Sequence, residues 1–369
     1  MRRRSFLGAP ALAGFAPEKL DAASQSRVIA TGDGVPHSPA EYGRLLAGLT
    51  EGLEADSYSR GGVVARVEQK MAATLGKEAA VWFPTGTLAN HVAARLLAGD
   101  RRRVLIQQES HLYNDSGDCA QTLSGLHMVP LAAGNATFTL AEVEREASRA
   151  AASRVSVPIG AIVIETPVRR RTGEAFDFAE MKKISAWARD HNVGTHLDGA
   201  RLLFASAYSG IAPREYAALF DTVYVSMYKY FNAASGAILA GPRKLMDELY
   251  HTRRMFGGGL SQVWPFAAVA LHYAEGFEQR IARAVATSEQ VIAALQKDGN
   301  FEIRRVPGGT NIFLFRVRGV NAAIYQQRID DAGFTMGAPD NEWFQVRVNE
   351  TWNRASAAEI LDRFRKGMG

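Results

Sequence analysis

The 369-residue chain predicts an α/β fold, with a large domain on a mainly parallel sheet and a smaller C-terminal α/β domain. Three observations predict it. From residue 60 onward short apolar runs alternate with amphipathic helical stretches, the pattern of parallel strands covered on both faces by right-handed crossovers. Gly257-Gly-Gly259 interrupts that alternation, and a long helical stretch from Val263 to about Gln296 follows it. Beyond that stretch, strands and helices resume in a shorter series. With 47% hydrophobic residues, the chain can bury more than one core.

Each element has its own signal. Val63 to Leu75 carries helical spacing, and Ala79-Ala-Val-Trp-Phe83 is a short apolar run of strand length. Leu88 to Ala98 is a helix, Val104 to Ile106 a buried strand, and His127 to Leu131 another. Leu140 to Ala151 is helical, Ala161 to Glu165 a continuous apolar strand, and Phe178 to His191 a helix. Val193 to Leu197, Thr222 to Met227 and Gly236 to Ala240 complete the strands of the large domain. The small domain has strands at Phe301 to Val306, Asn311 to Val317 and Phe344 to Val348. Its helices run from Ala322 to Ala332 and from Ala355 onward.

The expected divisions are a twin-arginine export signal over 1–16, an N-terminal arm over 17–57, a large domain over 58–272 and a small domain over 273–369. Arg3-Arg4-Ser5-Phe6-Leu7-Gly8 followed by small apolar residues carries the signal and implies a periplasmic destination. A disordered basic N-terminus on a cytoplasmic protein is the alternative. No later stretch is long and apolar enough to span a bilayer.

Composition narrows the function. The net charge of +5 comes largely from three arginine triplets without interleaved aromatics, which argues against nucleic-acid binding. A single cysteine, Cys119, excludes an internal disulfide framework, and the eight histidines show no metal-site spacing.

The chemistry concentrates around Lys229, near the end of the β-rich run Phe220 to Phe231. A buried lysine must find a counter-charge or lose its proton. An amine ready to lose its proton is what an aldehyde cofactor needs to form a Schiff base. Pyridoxal 5'-phosphate also needs an acid beside its ring nitrogen, and Asp198 in Thr195-His-Leu-Asp-Gly-Ala-Arg201 supplies one. Alone, Asp198 reads equally well as a turn cap. His196, two residues earlier on the same strand face, is a hydrogen-bond partner for Asp198 or a plain core histidine. Gly86 and Thr87, in Pro84-Thr-Gly-Thr87, sit where a helix N-terminus can hold a phosphate or merely be capped. His111 is a candidate to lie on the cofactor ring or shuttle protons, or is merely an exposed loop histidine. Arg201 is a candidate to meet the phenolic oxygen or a substrate carboxylate, or is a surface arginine with a local ion pair. Arg347 is a candidate to fork a carboxylate, or faces solvent.

Taken together, four stretches resemble the threonine aldolase and β-eliminating lyase family of fold-type-I enzymes that use pyridoxal phosphate. They are Gly76-Lys-Glu-Ala-Ala80 leading into Pro84-Thr-Gly-Thr87 and Asn90, His196-Leu-Asp-Gly-Ala-Arg201, Ser226-Met-Tyr-Lys229, and Arg253-Arg-Met-Phe-Gly-Gly-Gly259. The resemblance runs from about residue 58 to the C-terminus. It implies that Lys229 holds the cofactor aldehyde, Asp198 faces the pyridine nitrogen and His111 stacks on the ring. Gly86 and Thr87 then hold phosphate, Arg201 lies beside the phenolic oxygen and substrate, and Arg347 binds the substrate carboxylate. It further implies a homodimer or homotetramer whose active sites lie at subunit interfaces.

The implied reaction is retro-aldol cleavage of a threonine-like β-hydroxy-α-amino acid to glycine and an aldehyde. β-Elimination to pyruvate and ammonia, transamination and a non-catalytic family member are the alternatives. The chain also departs from the family pattern. Val168 stands where a histidine near the substrate is common, and Gly32-Asp-Gly34 where an N-terminal serine helps bind carboxylate. Tyr228 precedes the lysine where serine is frequent, and Ser261 follows the glycine run where an arginine often assists phosphate binding.

Overall fold

A computed structural model of the chain describes residues 26–369. The expected export signal and the first residues of the arm lie outside the described residues.

Twelve strands are present among the described residues. Seven of them form the main sheet: β2 (Ala79–Phe83), β3 (Arg103–Gln107), β4 (His127–Leu131), β5 (Ile159–Glu165), β6 (Gly194–Asp198), β7 (Thr222–Ser226) and β8 (Ala237–Gly241). Their order is β2-β8-β7-β6-β5-β3-β4. The pairs from β4 through β7 are parallel, whereas β8 is antiparallel to both β7 and β2. Every residue of β5 is buried, as in a central parallel strand covered on both faces. Ile162 and Ile164 join the main core, while Ala161 and Val163 face the opposite layer.

A helix at Gly86–Ala98 crosses β5 to β8 on one face, and a helix at Gly62–Leu75 covers β2 and β8 on the other. The carboxyl ends of β5 and β6 therefore open beside the N-terminus of Gly86–Ala98. That edge, where strand ends meet a helix start, is where ligands settle in open α/β sheets.

The small domain has a three-stranded antiparallel sheet, β12 (Phe344–Arg347), β10 (Ile312–Val317) and β9 (Phe301–Arg305). Helices Ala322–Asp331 and Ala357–Lys366 bury Tyr325 and Phe364 against Phe315 and Phe344. A two-residue strand, β1 (Val28–Ile29), pairs in parallel with β11 (Phe334–Thr335). The N-terminal arm is thus stitched to the small domain, and this attachment carries Asp33 toward the cavity described below.

The long helical stretch expected over 263–296 is two helices, Trp264–Ala274 and Phe277–Lys297. Gly276 between them adopts φ +66°, a left-handed conformation that glycine takes without steric cost and that ends the first helix. Among the described residues no helix is long and apolar enough to cross a membrane, and no group of three metal-ligating side chains is assembled.

Candidate active site

A cavity of about 330 Å³ lies where β5, β6 and the Gly86–Ala98 helix converge. Gly86, Thr87, His111, Asp198, Arg201 and Lys229 all line it. Arg347 does not. It lines an adjoining cavity of about 630 Å³, which shares Lys229, Arg201, Tyr228 and Arg169 with the first.

The helix N-terminus is built by Thr85, whose hydroxyl accepts from Leu88 N at 3.2 Å. The first backbone bond of the helix comes from Ala89 N, so the amides of Gly86 and Thr87 remain to serve an anion in the cavity. Gly86 is required for packing. A Cβ there would collide with the Tyr224 hydroxyl. Gly199 is required in the same way, since a Cβ would meet Tyr224 O at 2.9 Å, and this close approach lets β6 turn sharply after Asp198.

Asp198 is buried at the end of β6. Its Oδ2 accepts from Asn90 Nδ2 at 2.5 Å and its Oδ1 from Ala200 N at 3.1 Å. His196 does not bond to Asp198 as the sequence suggested. Residues two apart on a strand are roughly 6.6 Å apart, so a third group must join them. Asn90 is that group. His196 Nε2 lies 2.9 Å from Asn90 Oδ1, and His196 Nδ1 lies 2.8 Å from Thr222 Oγ1. Because the Asn90 amide nitrogen faces Asp198, its oxygen must accept, which assigns the proton to His196 Nε2 and makes Thr222 the donor to Nδ1. Burial pushes this imidazole down to about 4, so it stays neutral and keeps that tautomer.

Lys229 lies three residues beyond β7. Burial, reinforced by the neighbouring Arg201 charge, brings its amine down to about 8. Its Nζ sits 5.5 Å from the centre of the Tyr228 ring. Burial also lowers the His111 imidazole. The His111 backbone amide donates to Glu165 Oε2 at 2.5 Å, and Glu165 Oε1 accepts from Arg169 N at 2.9 Å. Glu165 is enclosed, and burial together with the nearby Asp198 charge raises its carboxyl.

Arg201 and Arg347 converge on one carboxylate that the sequence did not single out. Asp33 Oδ2 accepts from Arg201 Nε at 2.7 Å, and Asp33 Oδ1 accepts from Arg347 at 3.2 Å and from Asn311 at 3.3 Å. Burial alone would raise the Asp33 carboxyl, but the two guanidinium charges and these hydrogen bonds hold it below the usual range. Asp33 lies within the Gly32-Asp-Gly34 segment already noted as a departure, and that was its one signal in the sequence.

These residues fit pyridoxal phosphate. The helix amides suit its phosphate, the buried Asp198 carboxylate suits its ring nitrogen, and the depressed Lys229 amine suits its aldehyde. The nature of the cavity agrees with comparisons to known proteins. The chain is similar to alanine racemase TOXG from Cochliobolus carbonum, 30% identical over 61% of this chain and 58% of that protein. It is also similar to the low specificity L-threonine aldolase of Saccharomyces cerevisiae, 29% identical over 56% of this chain and 53% of the yeast protein. The chain therefore matches little more than half the length of either relative. A Listeria monocytogenes structure assigned as an L-allo-threonine aldolase superposes with a TM-score of 0.77 and 27% identity, covering 94% of this chain and 97% of that one. The model of the β-eliminating lyase family matches residues 46–317, most of the chain. The chain belongs to the β-eliminating lyase family, whose enzymes work with pyridoxal phosphate.

Proposed function

We propose that this protein is a carbon–carbon lyase that cleaves a threonine-like β-hydroxy-α-amino acid to glycine and an aldehyde. The observation that carries the reading is the meeting of Lys229, Asp198, His111 and Arg201 in one cavity at the carboxyl ends of the strands. The threonine aldolase names of its relatives support the choice of bond.

Bound pyridoxal phosphate supplies an aldehyde for the substrate amine and a ring that accepts the electron pair released at Cα. The chain's own residues do the rest. With its amine brought to about 8, Lys229 is partly neutral near pH 7 and can give or take a proton. Asp198, fixed by Asn90 and the Ala200 amide, presents its carboxyl group where the ring nitrogen would lie. Arg201 and Arg347 spend only part of their donors on Asp33, and the remaining N–H groups receive the α-carboxylate. His111, held neutral by burial, accepts the β-hydroxyl proton, directly or through water.

Val168 bears on this step. It is buried and apolar, so it offers no proton acceptor where the family commonly has a histidine. That observation favours β-elimination as a second reading, in which no hydroxyl proton need be removed. Product identification separates the two. Glycine with an aldehyde supports cleavage, whereas pyruvate with ammonia supports elimination and overturns it. A cofactor spectrum that no amino acid perturbs would point to a non-catalytic member. His111→Ala should slow cleavage by about 100- to 10,000-fold. A change below about threefold, far under that range, removes His111 from the mechanism.

A homodimer or homotetramer belongs to the same reading. Tyr58, Met255 and Leu260 are exposed apolar side chains, and the Tyr58 amide bonds to Ser261 O at 2.8 Å, which joins the segments that carry them. A second copy covering this patch would bury it. Twin-arginine export to the periplasm remains a proposal from the N-terminal sequence, checked by the N-terminus of the mature protein in fractionated cells.

A further inference from the structure

The triplet Arg169-Arg170-Arg171 divides by partner. Arg170 forks Asp115, with Nε to Oδ2 at 3.2 Å and an Nη to Oδ1 at 2.7 Å. Arg171 pairs with Glu174 at 3.3 Å. The Arg169 guanidinium has no hydrogen bond among the described residues, and its nearest carboxylate oxygen is that same Asp115, at 4.0 Å. Arg169 is also the member of the triplet that lines the cofactor cavity and the adjoining cavity.

Its stem is nonetheless fixed. Glu165 Oε1 holds the Arg169 amide at 2.9 Å, and a short 3-10 turn over Arg169–Arg171 follows. The head is 55% exposed, toward a site where the other guanidinium groups are already engaged. Arg201 and Arg347 share Asp33, which balances one of their two positive charges and leaves one for the substrate α-carboxylate. Arg169 lines the first cavity together with His111 and the second together with Arg347, and Tyr228 lines both, so its head lies on the flank next to them. A substrate Cα carries three groups to be received. The amine goes toward Lys229 and the carboxylate toward Arg201 and Arg347, which leaves the side chain for the His111–Arg169 flank.

We propose that Arg169 is a specificity residue that receives an anionic group on the substrate side chain, so that the preferred substrate is a β-hydroxy-α-amino acid with an acidic side chain. The proposal rests on the lyase reading for the substrate's amino-acid character and adds the second negative charge. A guanidinium without a hydrogen-bonded counter-ion at a cavity mouth gains most from a carboxylate, which it can fork with two N–H groups.

The test is calorimetric titration of the cofactor-loaded protein with succinate and with butyrate, which differ by one carboxylate. Succinate should bind wild type about tenfold or more tightly than butyrate, the scale of one hydrogen bond to a charged group. Arg169→Gln should shrink that gap below about threefold, and Arg169→Lys should restore part of it. Equal affinities in wild type, or a gap that survives in Arg169→Gln, would overturn the proposal. So would a loss of cofactor affinity in Arg169→Gln with the succinate gap unchanged, which would assign this guanidinium to the cofactor. In turnover, the kcat/KM ratio of β-hydroxyaspartate to threonine should fall in Arg169→Gln by the same factor as the binding gap. If wild type cleaves neither amino acid and keeps the succinate gap, the lyase reading fails and the Arg169 site stands. Cleavage without the gap rejects the site alone.

Discussion

The ring end of the cavity and its substrate end are held by opposite means. At the ring end, Thr222, His196, Asn90 and Asp198 are buried and joined by hydrogen bonds that run from β7 through β6 to the Gly86–Ala98 helix. One charge, on Asp198, is positioned by neutral groups on regular elements. At the substrate end, Asp33, Arg201 and Arg347 come from the arm, the turn after β6 and the end of β12. Charges hold charges there, and none of the three can be buried without the others. The ring end is therefore rigid and general, suited to one invariant cofactor. The substrate end depends on the arm and both domains meeting, and the Gly32-Asp-Gly34 departure from the family pattern falls there.

The largest expected effect lies at the substrate end. Asp33→Ala leaves two guanidinium groups facing each other without their shared counter-charge, and breaking a buried pair in this way costs about 3–5 kcal/mol. Urea unfolding at neutral pH measures it, and a loss below about 1 kcal/mol would show that the pair is not mutually dependent. At the ring end, Asp198→Asn should lower kcat by about 100- to 1,000-fold, the scale of removing one preorganised electrostatic group. An unchanged kcat would remove Asp198 from the chemistry.

A smaller effect reports on the neutral chain behind Asp198. His196 is depressed to about 4, so the unfolded chain binds its proton before the folded one does. Stability from this group is present above the ordinary histidine value of about 6.5 and is lost as pH falls from there toward 4. Wild type should lose about 3 kcal/mol more than His196→Gln across that window. Equal pH dependence of the two proteins would mean that His196 is not held neutral.

The sequence made the ring end legible because its signals are local. Asp198 and His196 share one strand, and Lys229 closes a β-rich run, so residue type and periodicity put them on their elements, while the resemblance to the family supplied their roles. The Asn90 bridge was not legible as such, because it depends on which side of a helix meets which strand. The substrate end was harder to read. Asp33 lies 168 positions from Arg201 and 314 from Arg347, and its arm is anchored by a strand of two residues, too short to show a period. The division at Gly276 was hidden in a strong helical pattern by one permissive residue. The helix Pro39–Gly48 was not expected within the arm, although Ser38 and Glu41 form a reciprocal cap whose spacing is visible in the sequence.

The central claim is that the Lys229 amine holds the aldehyde of pyridoxal phosphate. Borohydride reduction of the cofactor-loaded protein followed by peptide mass spectrometry tests it most directly. A pyridoxyl group fixed on Lys229 is the predicted result. Label on another lysine such as the half-buried Lys77, whose amine is also lowered by burial, or label on no lysine at all, would contradict it.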